Sequence, residues 1–226
     1  MERIDGELLL VMAYMPGGSL EKLLAKHPDG LPIERAIEIA RDLLQALAAF
    51  HDLLGLPVHR DLKPSNILFD GEGCPHLADF GLAQLAGVSG RSQLAATSHP
   101  GTPLYAAPEQ LASPEPLTPS ADVYTLGCVF FEMLSGQPFR RLRPGTMAST
   151  LRPEVPSWPD QALAKALAEE PWDRYQSACE MADDLASASA QPLQPDSNTA
   201  PPAEVAAATV IPHPSQTRPG GVGCPG

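Results

Sequence analysis

Apolar side chains recur at Ile33, Ala36, Ile37, Ala40, Leu43, Leu44, Leu47, Phe50 and Leu54, the spacing of one face of a helix. This pattern predicts a long helix over residues 33–54 whose broad apolar stripe is core and not a cofactor site. Residues 119–134 start polar and then turn apolar on nearly every side, as a helix buried through the middle of a domain should. Two shorter helical stretches, 162–167 and 178–185, close the domain. Ser19 is placed to cap a helix running to about Lys26, which ends in a turn at Pro28-Asp29-Gly30. Residues 7–13 form a short, nearly continuous apolar run ahead of the breaker Pro16-Gly17-Gly18, which predicts a buried strand. Residues 67–69 and 75–78 flank Asp70-Gly71-Glu72-Gly73 and predict a hairpin. From 187 to 226 the chain is Ala, Pro, Ser, Gln and Gly, with Asp196, Glu204 and Arg218 its only Asp, Glu, Lys or Arg. With no apolar period it cannot bury enough surface to order itself, so a disordered tail is expected.

At 226 residues the chain can build one sizeable core, or one core plus a tail. Its formal net charge of -12 argues against a nucleic-acid or anionic-membrane footprint. Cys74, Cys128, Cys179 and Cys224 are scattered with no C-x-x-C pair, which reads as reduced thiols without a disulfide or zinc role. No run of about 18 apolar residues occurs and the first residues do not look like a signal peptide, so a cytoplasmic location is expected.

The chemistry is concentrated in His59-Arg60-Asp61-Leu62-Lys63-Pro64-Ser65-Asn66 and in Asp79-Phe80-Gly81 at the end of the hairpin. Moving a phosphoryl group asks for an oriented hydroxyl, metal ions bridging the phosphates and positive charge near the transferring oxygens. An acid, a cation two residues on and an amide five residues on, with a second acid nearby, supply those parts. Asp61 suits the hydroxyl proton and Lys63 the γ-phosphate, while Asn66 and Asp79 offer hard oxygen ligands to Mg²⁺.

The loop resembles the catalytic loop of protein kinases, and Asp79-Phe80-Gly81 resembles their metal-binding motif. Lys63 at its position resembles the serine/threonine class. The resemblance implies ATP and Mg²⁺ as cofactors and proteins with Ser/Thr acceptors as substrates. It makes Asp61 and Lys63 catalytic, puts Lys63, Asn66 and Asp79 on the nucleotide, and assigns the metal to Asn66 and Asp79. By the same resemblance residues 7–13 run into the hinge, with Met12 as gatekeeper and the backbones of Ala13 and Met15 bonding adenine above Leu68. His59 matches a packed structural histidine, and Asp122 matches the aspartate that braces the catalytic-loop backbone. Residues 101–109 resemble the substrate-binding P+1 loop and the Ala-Pro-Glu motif, and Arg174 matches the arginine that pairs with its glutamate, here Glu109. Thr102 is then expected at the substrate site. Ser92, Thr97 and Ser98 are candidate phosphosites, with Arg60 as the residue to pair with a phosphate there.

Two departures accompany the match. The stretch between Phe139 and Arg152-Pro153-Glu154-Val155-Pro156 is trimmed where kinases have room for a further helix and loop. The strand lysine, its helix glutamate and the phosphate-covering loop are expected ahead of the hinge, so the small lobe is expected to be largely missing. The expected fold is therefore α+β and protein-kinase-like: a mostly helical large lobe with a short catalytic-loop β-hairpin and a truncated small lobe. Its expected domains are a partial kinase domain over 1–186 and a tail over 187–226. The expected function is a serine/threonine protein kinase, inactive as this chain alone, with no nucleic-acid partner and no membrane segment. A pseudokinase or non-catalytic binding module is the alternative. A small-molecule phosphotransferase of related fold is disfavoured by Lys63, Thr102 and Glu109.

Overall fold

The structure is a computed structural model that describes residues 2–4, 7–9, 12–54, 58–79, 104–112 and 116–189. All of them lie within one unit, Met1–Leu193. Strands β1 (Glu2–Ile4) and β2 (Glu7–Leu9) form an antiparallel hairpin. Of the strand expected over 7–13, residues 7–9 form β2, residues 12–13 lie outside any strand, and residues 10–11 lie outside the described residues. Next come β3 (Gly18–Ser19) and helix α1 (Leu20–Leu24), whose first turn is capped by the Ser19 hydroxyl accepting from the Lys22 amide at 3.4 Å.

Helix α2 (Ile33–Leu54) follows the predicted periodicity. Ala36, Ile39, Ala40, Leu43, Leu44, Leu47 and Phe50 are buried, with Ile33 and Ile37 packed at the edge of the same cluster. Strands β4 (Ile67–Phe69) and β5 (Pro75–Leu77) make the predicted hairpin, and β3 adds to it in the order β3-β4-β5, pairing Ser19 with Leu68 and Leu68 with His76. Gly17 permits that third strand. Its amide donates to Phe69 O at 2.9 Å, and a Cβ there would lie 2.6 Å from Phe69 Cβ.

Beyond helix α3 (Pro108–Ala112), helix α4 (Pro119–Ser135) runs through the centre, with the residues from Ser120 to Phe131 all buried. It stops at Gly136, left-handed at φ 72°, where a Cβ would collide with Pro28 O at 2.1 Å. Helices α2, α6 (Ser157–Ala166) and α7 (Ala178–Ser189) pack on it. The trimmed segment after Phe139 holds a 3-10 turn (Phe139–Arg141) and a single-turn helix, α5 (Ala148–Leu151). Asp160 of α6 caps that helix by accepting from the Ala148 amide at 2.7 Å. Helix α7 continues to Ser189, so residues 187–189 are helical where the sequence pattern predicts tail. Residues 190–226 lie outside the described residues.

Cys74 and Cys179 are exposed, while Cys128 is buried in α4, where burial pushes its thiol up to about 12. Among the described residues, no helix is long and apolar enough to cross a membrane.

Candidate active site

The loop after α2 is held from below by one buried carboxylate. Asp122, in the first turn of α4, accepts from the His59 amide at 2.6 Å and the Arg60 amide at 3.1 Å, and it meets His51 Nε2 at 2.9 Å. These bonds hold Arg60 in a left-handed conformation, φ 73°, which a side chain with a Cβ rarely adopts. The Arg60 carbonyl in turn accepts from Gln110 Nε2 at 3.0 Å. His59 is 1% exposed and packs its ring 5.4 Å from that of Phe50. Burial lowers its pKa below the ordinary value, against the pull of the Asp122 and Asp61 charges, which favours the neutral ring.

Above this brace stands the Asp61 carboxylate, 38% exposed. Lys63 Nζ donates to both of its oxygens, at 3.1 and 2.9 Å, and Asn66 Nδ2 donates to Asp61 Oδ2 and to the Asp61 carbonyl, both at 2.9 Å. A 3-10 turn (Pro64–Asn66), anchored between buried Leu62 and Ile67, sets the spacing that lets Lys63 and Asn66 converge on Asp61. The hairpin then returns the chain to this point, where the Ala78 amide donates to the Asn66 carbonyl at 2.8 Å. Asp79 is the next residue, exposed and left-handed at φ 58°. Asn66 Oδ1 and the Asp79 carboxylate are therefore hard oxygens offered from adjoining backbone, the donor type that suits Mg²⁺ with phosphates and water completing the shell.

Leu68 is half-buried on β4. Met12 is 55% exposed, Ala13 is exposed and Met15 is half-buried. They precede the turn in which the Met15 carbonyl accepts from the Gly18 amide at 3.3 Å and the Gly17 amide reaches Phe69, the neighbour of Leu68. The structure thus brings Asp61, Lys63 and Asn66 into direct contact and Asp79 beside them, with the predicted adenine residues on the adjoining strand and its lead-in. Phe80, Gly81, Ser92, Thr97, Ser98 and Thr102 lie outside the described residues.

At the rim, Glu109 of α3 and Arg174 form a double ion pair at 2.7 and 2.9 Å, with the Arg174 side chain 0% exposed. Arg174 also donates to the carbonyls of Ala168 and Glu169 and stacks 4.8 Å above the Tyr124 ring. Sequence reasoning missed His51, Gln110 and the bond from the Tyr105 hydroxyl to Glu132 at 2.6 Å. Each joins residues far apart in the chain, or a side chain to backbone, and none leaves a local spacing signal. The spacing G-x-G-x-x-G occurs at Gly221-Val222-Gly223-Cys224-Pro225-Gly226, outside the described residues and at the opposite end of the chain from the hinge.

Comparison with known proteins agrees with this geometry. The family model described as the protein kinase domain matches residues 1–188. Serine/threonine-protein kinase PknB of Mycolicibacterium smegmatis is 37% identical over 194 residues, covering 78% of this chain and 29% of the relative. Serine/threonine-protein kinase PknD of Mycobacterium tuberculosis is 36% identical over 192 residues, covering 79% of this chain and 28% of that protein. The crystal structure of the Mycobacterium tuberculosis PknI kinase domain superposes with a TM-score of 0.60 at 27% identity, over 77% of this chain and 64% of that one. The chain thus spans under a third of the length of these curated relatives and about two thirds of a solved kinase domain. With a fold, a braced loop and a sequence match that coincide over the same residues, the chain belongs to the protein kinase domain family, in its bacterial serine/threonine branch.

Proposed function

We propose that this chain supplies the hinge and large lobe of a kinase that transfers the γ-phosphoryl group of ATP to serine or threonine hydroxyls of proteins. The observation that carries the reading is the cluster in which Lys63 and Asn66 both bond the Asp61 carboxylate while Asp122 fixes the backbone beneath it. A carboxylate held by two neighbours and still open to solvent is placed to accept a hydroxyl proton. Asp61 orients the acceptor hydroxyl and takes its proton as the oxygen bonds the γ-phosphorus, whose bond to the β–γ bridging oxygen breaks to release ADP. The Lys63 ammonium, already within 3.1 Å of Asp61, keeps positive charge where the transferring oxygens lie. Protein kinases generally use ATP with Mg²⁺, and Asn66 and Asp79 are the residues that would hold the ion. When bound, Mg²⁺ neutralises phosphate charge and fixes the phosphate oxygens. Met12, Ala13, Met15 and Leu68 take the adenine end. The kinase part closes with helix α7 at Ser189, and the Pro- and Ala-rich sequence beyond it acts as a tail in the cytoplasm.

Transfer of label from ATP to a mixed protein substrate, by this chain joined to the small lobe of a related kinase, tests the reading. Asp61→Asn should abolish transfer while nucleotide affinity, read by calorimetry, stays nearly intact. Asp79→Asn should weaken Mg²⁺-ATP binding itself. Turnover unchanged by Asp61→Asn would remove the assignment, and phosphate found mainly on tyrosine would remove the serine/threonine class.

A further inference from the structure

Arg140, Arg141 and Arg143 concentrate positive charge in a chain of net charge -12, and all three are exposed. Hydrogen bonds connect Arg140 to the catalytic loop. Arg140 Nη1 donates to the Ala106 carbonyl at 2.5 Å. The next amide, Ala107, donates to Gln110 Oε1 at 2.9 Å, and Gln110 Nε2 reaches the carbonyl of Arg60, the residue before Asp61. Arg140 therefore lies against Ala106, and Arg141 faces Glu132, which bonds Tyr105, so the turn that carries the three arginines adjoins the segment 104–110. Their turn is firm: the Phe139 ring packs 5.2 Å from that of Phe131, and Thr146 Oγ1 donates to the Arg143 carbonyl at 2.7 Å.

Two carboxylates on the same rim, Glu109 and Glu132, are already engaged, while the exposed Glu21 adds a negative charge beside Glu132. Glu109 is paired with buried Arg174. Glu132 accepts from the Tyr105 hydroxyl, and burial raises its pKa even with Arg141 facing it. Among the described residues, neither Arg141 nor Arg143 lies within ion-pair distance of a carboxylate. We propose that Arg140, Arg141 and Arg143 dock an acidic peptide segment flanking the phospho-acceptor, so that the favoured substrates carry Asp or Glu beside the Ser or Thr. This rests on the kinase reading above. Guanidinium forks suit carboxylates geometrically, and the negative charge elsewhere on the chain repels an acidic segment from other surfaces, which sharpens the preference for this rim.

Fluorescence anisotropy with the 226-residue chain tests it directly. The probes are serine peptides of about 12 residues flanked by Glu, by Gln or by Lys, and a single-stranded oligonucleotide matched in charge to the Glu peptide. The Glu peptide should bind about fivefold or more tightly than the Gln peptide, with the gap closing at high salt. Arg141→Glu with Arg143→Glu should reverse the order in favour of the Lys peptide, and Arg141→Gln with Arg143→Gln should erase the preference if the reversal variant proves unstable. Equal affinity for Glu and Gln peptides would overturn the proposal, as would a preference that survives both double variants or an oligonucleotide that binds as well as the Glu peptide. Binding does not need turnover, so the two readings fail separately. A Glu preference with Asp61-independent transfer strikes the kinase assignment alone, and transfer indifferent to flanking charge strikes the arginines alone.

Discussion

Asp122 shows how a single buried side chain can hold an active-site loop. It accepts from the amides of His59 and Arg60 and contacts His51, so its loss strands several buried groups at once. Leaving each buried donor unsatisfied costs about 1–3 kcal/mol. Asp122→Ala is therefore expected to lower unfolding free energy by about 3 kcal/mol or more, read from the urea midpoint. Asp122→Asn keeps an acceptor and should cost less, and an alanine variant as stable as wild type would remove the brace. His59 gives a pH prediction. Burial holds its pKa below the ordinary 6.5, so as pH falls through 6.5 the unfolded chain takes up a proton that the folded chain refuses. Stability is thus lost on acidification from about 6.5 down to the lowered value, with a slope of at most about 1.4 kcal/mol per pH unit. His59→Phe should flatten that part of the profile in melts between pH 5 and 7.5, and parallel curves for the two proteins would contradict it. At this scale the sequence named Asp61, Lys63, Asn66, Asp79 and Asp122 through motif spacing. It could not show that Arg60 and Asp79 sit at positive φ, nor that His51 lies against Asp122, because those follow from packing between helices.

Among elements, strong local signals were legible and long-range ones were not. Helices α2 and α4 announce themselves, one by an apolar period and one by continuous burial closed by Gly136. Helix α5 has no period in Ala-Ser-Thr-Leu and depends on Asp160, 12 residues away, for its cap. Strand β3 exists because Gly17 lets two backbones meet, which a Pro-Gly-Gly breaker does not reveal by itself. The Glu109–Arg174 pair ties α3 to the segment between α6 and α7. Because the Arg174 side chain is 0% exposed, removing its partner leaves a buried charge, and Glu109→Ala should cost about 3–5 kcal/mol. A double-mutant cycle with Arg174→Met should show strong coupling, since the second change removes the orphaned charge. Additive losses would mean that the carbonyls of Ala168 and Glu169 hold Arg174 without Glu109.

At the scale of the whole molecule the question is where the cooperative unit stops. The composition change after residue 186 marked a boundary, while helix α7 continues to Ser189 because the backbone ladder outlasts the apolar stripe. Ala178, Met181 and Leu185 of that helix are 0% exposed within the core that α2 and α4 build. Each large apolar side chain withdrawn from such a core costs about 2–5 kcal/mol, so two of them approach the whole stability of an ordinary domain. The sequence beyond 189 offers no comparable apolar set: its larger hydrophobics are Leu193, Val205, Val210, Ile211 and Val222, scattered among Pro and Ala. Ending the chain after Ser189 is thus expected to leave the melting temperature within about 2 °C of the full chain, while ending it before Ala178 should abolish the cooperative transition. A large drop on removing 190–226 would show that the tail packs on the domain, and a cooperative melt without α7 would show that the core closes on α2, α4 and α6 alone.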